Sequence, residues 1–292
     1  MRAVITGSRG QDGTYLTELL EANGYEVVGV DRGDCDLGEL PAVERLLRDV
    51  APREVYNLAA ATFVPASWNE PTAALASCVA TGALLGGIVR VDPEIRFFQA
   101  SSAEVFGFPD DLPQHEGTPY RPGSPYAAAK ACSDHLVAAY RAHKRLHASS
   151  GILFNHESPL RPANFLPAKV AQGVKAIAAG RADELVLGDL DAKRDWGWAP
   201  DYVRAMWLML QQDEPGDYVI ATGEAHSVRE LVELAFAHVG LDWQQYVRVD
   251  PGLVRADDRV LIGDASKARD QLGWSPSVTF EQLVQLLVDA AA

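Results

Sequence analysis

The sequence lacks any concentration of positive charge. Its 26 Lys and Arg residues are outnumbered by 40 Asp and Glu residues, which gives a formal net charge of -14, and no run of five basic residues occurs. Such a chain repels a phosphate backbone, which argues against nucleic-acid binding. If the ligand is an anion, a few individually placed basic side chains must hold it.

Cysteine is also scarce. The three cysteines, Cys35, Cys78 and Cys132, are odd in number and widely spaced. This pattern is typical of neither a disulfide framework nor a zinc site. We expect the three side chains to fill small apolar spaces, and we expect no metal site.

The N-terminus shows no targeting signal. Met1 and Arg2 lead directly into an apolar strand, and neither a long hydrophobic segment nor a cleavage pattern is visible. The sequence therefore predicts a cytoplasmic protein without a membrane partner.

What the sequence does contain is the composition of a globular protein and a regular alternation of elements. Hydrophobic residues make up 48% of its 292 residues, enough for a large core. In the first half, short β-branched runs alternate with helical patterns, a rhythm that predicts an α/β fold with a parallel sheet. The predicted strands cover 3–6, 26–30, 55–58 and 96–100, and the predicted helices cover 13–23, 71–91 and 125–147.

The second half is less regular. Proline-rich stretches separate helical patterns at 201–211, 228–239 and 280–289. We interpret residues 1–155 as a doubly wound, Rossmann-like dinucleotide-binding domain. Residues 156–292 are predicted to form mainly a smaller substrate-binding lobe, from which some segments return to the first domain.

Three glycines mark a candidate phosphate-binding turn. Gly7, Gly10 and Gly13 follow the first strand and open the first helix. Without side chains the turn can tighten, and a pyrophosphate can approach the N–H groups at the helix N-terminus. The intervening residues Ser8, Arg9, Gln11 and Asp12 belong to the same candidate cofactor site.

The residues that follow the second strand are expected to discriminate between NAD and NADP. Asp31 ends that strand, where its carboxylate could accept hydrogen bonds from the adenosine ribose and repel a 2'-phosphate. The next residue, Arg32, offers a guanidinium that could bind that phosphate. NAD and NADP both stay open, with NAD slightly favoured.

Tyr126 and Lys130 form a candidate catalytic pair. Four-residue spacing places both side chains on one face of a helix, where the ammonium would stabilise a tyrosinate base. Taken alone, the pair equally fits an exposed helix face. However, Ser102 and Glu104 follow the strand 96–100, and the carboxyl ends of parallel strands are where ligands of such folds bind.

The order of these motifs resembles that of the extended short-chain dehydrogenases that act on nucleotide sugars. Four runs, 7–13, 151–159, 191–197 and 263–267, are similar to the GDP-mannose 4,6-dehydratase family, and the similarity covers nearly the whole chain. The resemblance implies oxidation at sugar carbon 4, loss of water across carbons 5 and 6, and return of the hydride to carbon 6.

The resemblance also implies roles for individual residues. Tyr126 would be the base, assisted by Ser102 and Lys130, and Glu104 would remove the carbon 5 proton and protonate the departing hydroxyl. Further cofactor contacts would be Asp36, Leu37, Leu58, Ala59, Ala60, Thr62, His156 and Arg161. Contacts to a GDP-linked sugar would be Asn155, Asn164, Lys169, Arg194 and Arg255, and helices 71–91 and 125–147 would form a homodimer.

The chain departs from the family after Asp31, where a long arginine-rich insertion is shortened to a few residues. A shortened loop also occurs in deoxysugar reductases, so a 4-keto-sugar reductase or epimerase is one alternative. A non-catalytic dinucleotide sensor is another. Glu104 argues against a reductase, which needs no elimination base, and the intact Ser102, Tyr126 and Lys130 argue against a sensor.

Overall fold

A computed structural model describes residues 1–253 and 260–291, in which strands and helices alternate. In chain order the strands are β1 (Arg2–Thr6), β2 (Glu26–Val30), β3 (Glu54–Asn57), β4 (Arg96–Ala100), β5 (Ala148–Leu153), β6 (Asn155–Glu157), β7 (Leu185–Leu187), β8 (Lys193–Arg194), β9 (Trp196–Trp198), β10 (Asp217–Ile220), β11 (His226–Ser227) and β12 (Val247–Val249). The helices are α1 (Gln11–Ala22), α2 (Leu40–Val50), α3 (Ala66–Asn69), α4 (Pro71–Val91), α5 (Pro125–Lys144), α6 (Leu166–Ala178), α7 (Ala199–Gln211), α8 (Val228–His238), α9 (Ser266–Leu272) and α10 (Phe280–Ala290).

The centre of the molecule is a six-stranded sheet in the order β10-β5-β4-β3-β1-β2. Every neighbouring pair in it is parallel. The strand order reverses between β1 and β3, as in doubly wound dinucleotide-binding folds. The predicted α/β class with a parallel sheet is confirmed.

Helices cover both faces of this sheet. In β1, Val4 packs against α2 and α4 on one face, whereas Ala3 and Ile5 face α1 and α7 on the other. All three side chains are fully buried. Because successive residues of a strand point to opposite faces, burial of both faces explains why β1 is continuously apolar.

A second core lies outside the sheet. Helices α6, α8 and α10 pack on one another around buried residues such as Val174, Val232 and Leu287. However, β10 extends the central sheet beside β5, and α7 packs against α1. Parts of the chain beyond residue 155 therefore complete the sheet and its helical layer.

Helices α4 and α5 lie side by side on one face of the sheet. The bounds predicted for α4 match, whereas α5 ends at Lys144 and not at residue 147. Its predicted end is wrong because Arg145 takes a left-handed conformation with φ of 56° and turns the chain into β5.

The expectation for the cysteines is wrong for two of them. Cys78 on α4 and Cys132 on α5 are joined by a disulfide, with Cα atoms 6.0 Å apart, and Cys35 is free. The two lie 54 positions apart in the sequence. Only the side-by-side packing of the two helices makes them neighbours, so their spacing gave no signal.

Helix α4 is also more apolar than expected. Among the described residues it is the one helix with the length and composition to cross a bilayer, at a mean hydropathy of 1.8. The expectation that the chain has no long hydrophobic segment is therefore wrong. Leu84, Leu85 and Ile88 are fully buried against the sheet and α2, as in a core helix, whereas Leu75 and Val79 are exposed.

Candidate active site

The glycine-rich turn has the backbone geometry of a phosphate cradle. Gly7 has φ of +72°, and a Cβ there would lie 3.0 Å from the backbone of Ala59. A Cβ on Gly13 would lie 2.4 Å from the carbonyl oxygen of Gly7. No side chain caps α1, which begins after Gly10. The cradle therefore fits a pyrophosphate bound at the helix N-terminus.

Asp31, at the end of the neighbouring strand β2, is tied to this turn. Its carboxylate accepts a hydrogen bond of 2.6 Å from the Ser8 hydroxyl and one of 3.3 Å from the Arg9 backbone N–H. The Arg9 guanidinium lies 3.4 Å away on an 83% exposed side chain. A carboxylate and an exposed guanidinium thus lie together at the expected ribose position.

A cavity of about 560 Å³ opens at the carboxyl ends of the sheet strands and extends towards α6 and α8. The predicted site residues that line it are Asp12, Leu58, Thr62, Ser102, Glu104, Tyr126, Lys130, Asn155, His156, Arg161, Asn164, Lys169 and Arg194. The structure therefore brings the predicted catalytic residues and most of the predicted substrate contacts into one space.

Other predicted cofactor residues lie outside this cavity, on the glycine-rich turn or after β2 and β3. They are Gly7, Ser8, Arg9, Gly10, Gln11, Gly13, Asp31, Arg32, Asp36, Leu37, Ala59 and Ala60. Among them, Asp36 accepts a hydrogen bond from the Gly38 N–H, and Leu37 packs on the core beside α4. Arg255 lies outside the described residues.

The N-terminal turns of α5 hold Tyr126 and Lys130. Ser124 caps this helix by accepting a 3.1 Å hydrogen bond from the Ala127 N–H, and Pro125 occupies the first turn. The Lys130 ammonium lies 5.8 Å from the Tyr126 ring and donates to the carbonyl oxygen of Ala100 at 2.7 Å. The expected placement on one helix face is observed.

A short 3-10 turn after β4 presents Ser102 and Glu104 to the same space. The Ser102 hydroxyl accepts a 3.3 Å hydrogen bond from the Glu104 N–H, which fixes the turn. The same side chain is close enough to Tyr126 to favour the tyrosinate. The serine, the carboxylate and the tyrosine thus surround one end of the cavity.

The electrostatics of this pair differ from the expectation. Burial raises the pKa of Tyr126 to about 12, opposed by the nearby Ser102 side chain. Burial also lowers the pKa of Lys130 to about 8, opposed by Asp134. Burial therefore outweighs the contacts that favour the tyrosinate, and the Lys130 ammonium donates to the carbonyl oxygen of Ala100.

Asp12 and His156 are paired across the cofactor side of the cavity. The imidazole Nε2 lies 3.0 Å from the Asp12 carboxylate, its Nδ1 lies 2.7 Å from the Phe154 carbonyl oxygen, and the ring stacks on Tyr202. Burial by itself would lower the pKa of His156, but the Asp12 carboxylate outweighs burial and raises it. The pKa of Asp12 is lowered because its contacts with His156 outweigh burial.

The predicted substrate contacts line the side of the cavity near the second core. The Lys169 ammonium donates to the Val186 carbonyl oxygen at 2.7 Å, and Arg194 donates to the Lys193 carbonyl oxygen at 2.7 Å. Asn155 lies in β6, which pairs with β9, and Asn164 is exposed. These side chains line the part of the cavity between Tyr126 and the second core.

Sequence reasoning missed two buried carboxyl groups at this site, Glu157 and Asp134. Glu157 lines the cavity beside Arg161, and burial raises its pKa to about 7. Asp134 accepts hydrogen bonds from Ser101 and Tyr120, and burial raises its pKa to about 7. A signal was present for Asp134, which follows Lys130 by one helical turn, and for Glu157, which lies inside the run 151–159.

Comparison with known protein families shows to which family a chain with this site belongs. The family described as GDP-mannose 4,6 dehydratase matches residues 33–287 of the chain.

The chain belongs to the GDP-mannose 4,6-dehydratase family.

Relatives in this family match over nearly their full length. "GDP-mannose 4,6 dehydratase 1" of Arabidopsis thaliana is 43% identical, over 98% of this chain and 88% of the relative. The human "GDP-mannose 4,6 dehydratase" is 40% identical, over 99% of this chain and 90% of the relative. The resemblance inferred from the four sequence runs is confirmed.

Solved structures agree with the dehydratase-family fold. RMD from Pseudomonas aeruginosa, complexed with NADPH, matches with a TM-score of 0.89 and 26% identity, over 99% of this chain and 98% of that one. DesIV from Streptomyces venezuelae, a dTDP-glucose 4,6-dehydratase with NAD bound, matches with a TM-score of 0.87 and 25% identity, over 99% and 96%. The predicted Rossmann-like fold is confirmed.

Proposed function

We propose that this chain is a nucleotide-sugar 4,6-dehydratase that converts GDP-mannose, or a closely related GDP-sugar, into the GDP-4-keto-6-deoxy sugar. Family membership supports the reaction class, since relatives at 40% and 43% identity carry the name GDP-mannose 4,6 dehydratase. One structural observation carries the proposal furthest. The carboxylate of Glu104 lines the same cavity as Ser102, Tyr126 and Lys130.

The cofactor of the proposed enzyme is NAD or NADP. The glycine-rich cradle supports a dinucleotide, and the similar structures were solved with NADPH or NAD. Asp31 favours NAD because a carboxylate accepts ribose hydroxyls and repels a 2'-phosphate. Arg9 and Arg32 beside it would hold that phosphate. The affinities of the protein for NAD and for NADP are therefore to be compared by titration.

The first step belongs to Tyr126. A bound nicotinamide ring would accept the hydride from sugar carbon 4 and return it later to carbon 6. Tyr126 takes the proton of the 4-hydroxyl, and the nearby Ser102 hydroxyl favours the tyrosinate. Burial raises the pKa of Tyr126 to about 12, so the positive charge of a cofactor bound nearby would favour the tyrosinate further.

Glu104 is the general base and general acid of the proposed elimination step. Once carbon 4 is a ketone, the proton on carbon 5 is acidic, and the Glu104 carboxylate removes it as a general base. The resulting carboxylic acid then protonates the departing 6-hydroxyl, so the proton leaves with water and Glu104 is ionised again. Return of the hydride to carbon 6 would be accompanied by protonation of carbon 5, which balances the proton that Tyr126 took from the 4-hydroxyl and then gives up. The 3-10 turn capped by Ser102 keeps this carboxylate beside the tyrosine.

The other side of the cavity would bind the nucleotide. Lys169 and Arg194 supply positive charge there, and we assign them with Asn155, Asn164 and Arg255 to substrate binding. We accordingly divide the chain into a dinucleotide-binding domain, residues 1–155, and a discontinuous substrate-binding lobe formed mainly by residues 156–292.

The proposed assembly is a homodimer in the cytoplasm. Leu75 and Val79 expose apolar surface on α4 next to α5, and a second copy of the chain would cover it. The burial of Leu84, Leu85 and Ile88 in the C-terminal half of α4 supports a location away from the membrane.

One experiment tests the activity. Purified protein is incubated with GDP-mannose and a catalytic amount of NAD or NADP, and the sugar nucleotide is analysed by mass spectrometry. We expect loss of one water over many turnovers per cofactor. Stoichiometric consumption of reduced cofactor with a 4-keto substrate would support the reductase instead, and nucleotide binding without either reaction would support a sensor.

A further inference from the structure

Asp134 is a buried carboxyl group that the proposed mechanism leaves without a role. It lies on α5 one helical turn after Lys130, and only 5% of its surface is exposed. Removing an ionisable carboxyl group from water costs free energy unless its neighbours offset that cost. The groups that contact Asp134 therefore show what it does at this position.

Asp134 and Lys130 hold the end of β4 at two adjacent points. The Ser101 hydroxyl donates a hydrogen bond to Oδ2 of Asp134, and the carbonyl oxygen of Ala100 accepts one of 2.7 Å from the Lys130 ammonium. Two neighbouring residues at the end of one strand are thus bonded to two residues one turn apart on α5. The 3-10 turn that follows, which carries Glu104, therefore has a fixed position relative to the helix that carries the tyrosine.

The charge of Asp134 also acts on Lys130. Burial lowers the pKa of Lys130 to about 8, and the Asp134 carboxylate opposes burial more strongly than Asp12 does. Without that charge the ammonium would lose its proton at a lower pH, and a neutral amine does not stabilise a tyrosinate. Burial raises the pKa of Asp134 itself to about 7, opposed by hydrogen bonds from Ser101 and, at 3.1 Å, from Tyr120. A substantial fraction of Asp134 is therefore ionised at neutral pH.

Other charged or titratable groups surround this pair and Tyr126. They are Asp12 on α1, Glu104 on the 3-10 turn, Tyr120 before α5, Arg141 on α5 and Asp217 on β10. Asp12 is paired with His156, and Asp217 forms a 2.6 Å ion pair with Arg141. From α4, the Thr81 hydroxyl meets α5 at this level through a 3.2 Å hydrogen bond to Ser133, and it carries no charge. Asp134 is thus the carboxylate whose charge acts most on Lys130.

We propose that Asp134 is a positioning residue of the site, which holds Ser101 against α5 and keeps the Lys130 ammonium charged. The first effect sets the place of Ser102 and Glu104, and the second supports the tyrosinate that begins the reaction. Asp134 acts only through these neighbours. The link to catalysis rests on the proposed function, whereas the charge of Lys130 can be measured without any substrate.

The titration of Lys130 is the direct test. The chain has six lysines, so protein labelled with carbon-13 at the lysine Cε gives few NMR signals, and the signal missing from Lys130→Arg belongs to Lys130. Its chemical shift changes when the ammonium loses its proton. We expect the midpoint of this titration at a pH of about 8 in the wild type, the pKa of Lys130.

Asp134→Asn removes the charge and keeps the size and an acceptor oxygen. Because a nearby opposite charge raises the pKa of an ammonium, the Lys130 midpoint should move from about 8 to about 7 or below. Asp201→Asn is the matched control. Asp201 is 6% exposed on α7 and accepts two hydrogen bonds, both from Ser277, so its substitution should reduce stability similarly and leave the Lys130 midpoint unchanged.

The pH dependence of carbon 4 oxidation gives a second readout, followed by the single-turnover absorbance of the reduced cofactor. In the wild type the rate should fall on the alkaline side, as Lys130 loses its proton and no longer supports the tyrosinate. Asp134→Asn should move this decline to lower pH by the same amount as the NMR midpoint. A folding defect alone would lower the rate to the same extent at every pH, and we expect no more than that from Asp201→Asn.

Tyr120→Phe covers the case in which Asp134→Asn does not fold. It removes one hydrogen-bond donor to the Asp134 carboxylate and so raises the pKa of that group. The Lys130 midpoint should then move in the same direction as in Asp134→Asn, by a smaller amount.

A wild-type Lys130 midpoint in folded Asp134→Asn, or in Tyr120→Phe if the former does not fold, would overturn the role of Asp134 and leave the proposed function intact. A shifted midpoint with an unshifted pH profile of oxidation would overturn its link to catalysis. If the wild type oxidised no GDP-sugar, the proposed function would fail, whereas the NMR titration would still decide whether Asp134 keeps Lys130 charged.

Discussion

At the scale of single residues, the proposed elimination depends on Glu104, which lines the same cavity as Tyr126. Glu104→Gln keeps the size and the turn capped by Ser102 but removes the base. We expect the rate of water loss to fall by roughly a hundredfold to ten-thousandfold, because a general base contributes about that much. Mass spectrometry of the product measures the loss.

The same variant should still bind the dinucleotide and oxidise carbon 4, which a single-turnover absorbance measurement follows. Dehydration at the wild-type rate would remove Glu104 from its assigned role.

The contact between Asp12 and His156 predicts a pH dependence. Because the folded pKa of His156 is raised, the charged histidine stabilises the protein fully below its ordinary pKa of 6.5. This contribution is lost as the pH rises through the folded value. Asp12→Asn should lower the pKa of His156 and remove that part of the stability, which NMR titration of the imidazole and unfolding at several pH values will measure.

Asp289→Asn is the control for this experiment, since Asp289 contacts the surface residue His238 at 2.7 Å. It should leave the titration of His156 unchanged. A His156 titration that is the same with and without the Asp12 carboxylate would contradict the electrostatic account.

Residue patterns predicted some of these contacts and could not predict others. Tyr126 and Lys130 are one helical turn apart, and Ser102 follows a strand, so local periodicity and a general property of parallel sheets place them. Asp12 and His156 are 144 positions apart and meet only through the folded chain. Burial, which decides the pKa values of Tyr126 and Lys130, is likewise a property of packing that no spacing encodes.

At the scale of elements, α5 carries both the tyrosine and the lysine in its first turns, so its N-terminal cap bears on the site. Ser124→Ala removes the hydrogen bond to the Ala127 N–H and should lower the free energy of unfolding by about 1 kcal/mol. Chemical denaturation measures this loss. Because fraying would begin at Tyr126, the rate of oxidation should fall as well.

Thr279→Ala is matched to this change, because Thr279 caps α10 in the same way but lies away from the cavity. It should reduce stability by a similar amount and leave the rate unchanged. Equal effects of both substitutions on the rate would show that stability alone, and not the position of α5, accounts for the result.

Elements were predicted best where a strand or helix has a regular pattern and clear boundaries. The strand at 26–30 and the helix at 71–91 agree with the structure residue for residue. Short elements of the second half, such as β6 and β9, have two or three residues and pair only with each other. These strands are too short to show a hydrophobic periodicity, so only tertiary contacts define them.

At the scale of the whole molecule, α4 is the helix that a second copy would cover. The double substitution Leu75→Glu and Val79→Glu places two charges on side chains that are 47% and 57% exposed. We expect the wild type to have twice the 31.6 kDa mass of one chain and the variant to have the mass of one chain. Light scattering at micromolar concentration measures both.

Val249→Glu changes a side chain of similar exposure, 51%, on β12 in the other lobe, and should leave the mass unchanged. A wild-type protein with the mass of a single chain would refute the proposed dimer.

The late position of β10 in the chain has a consequence for synthesis. Its partner β5 is complete at residue 153, but β10 begins only at residue 217. On the ribosome, β5 therefore exposes an unpaired strand edge to its surroundings, and such edges template aggregation. A nascent chain that stalls between these two points would keep this edge unpaired, so we expect such a chain to need protection by chaperones.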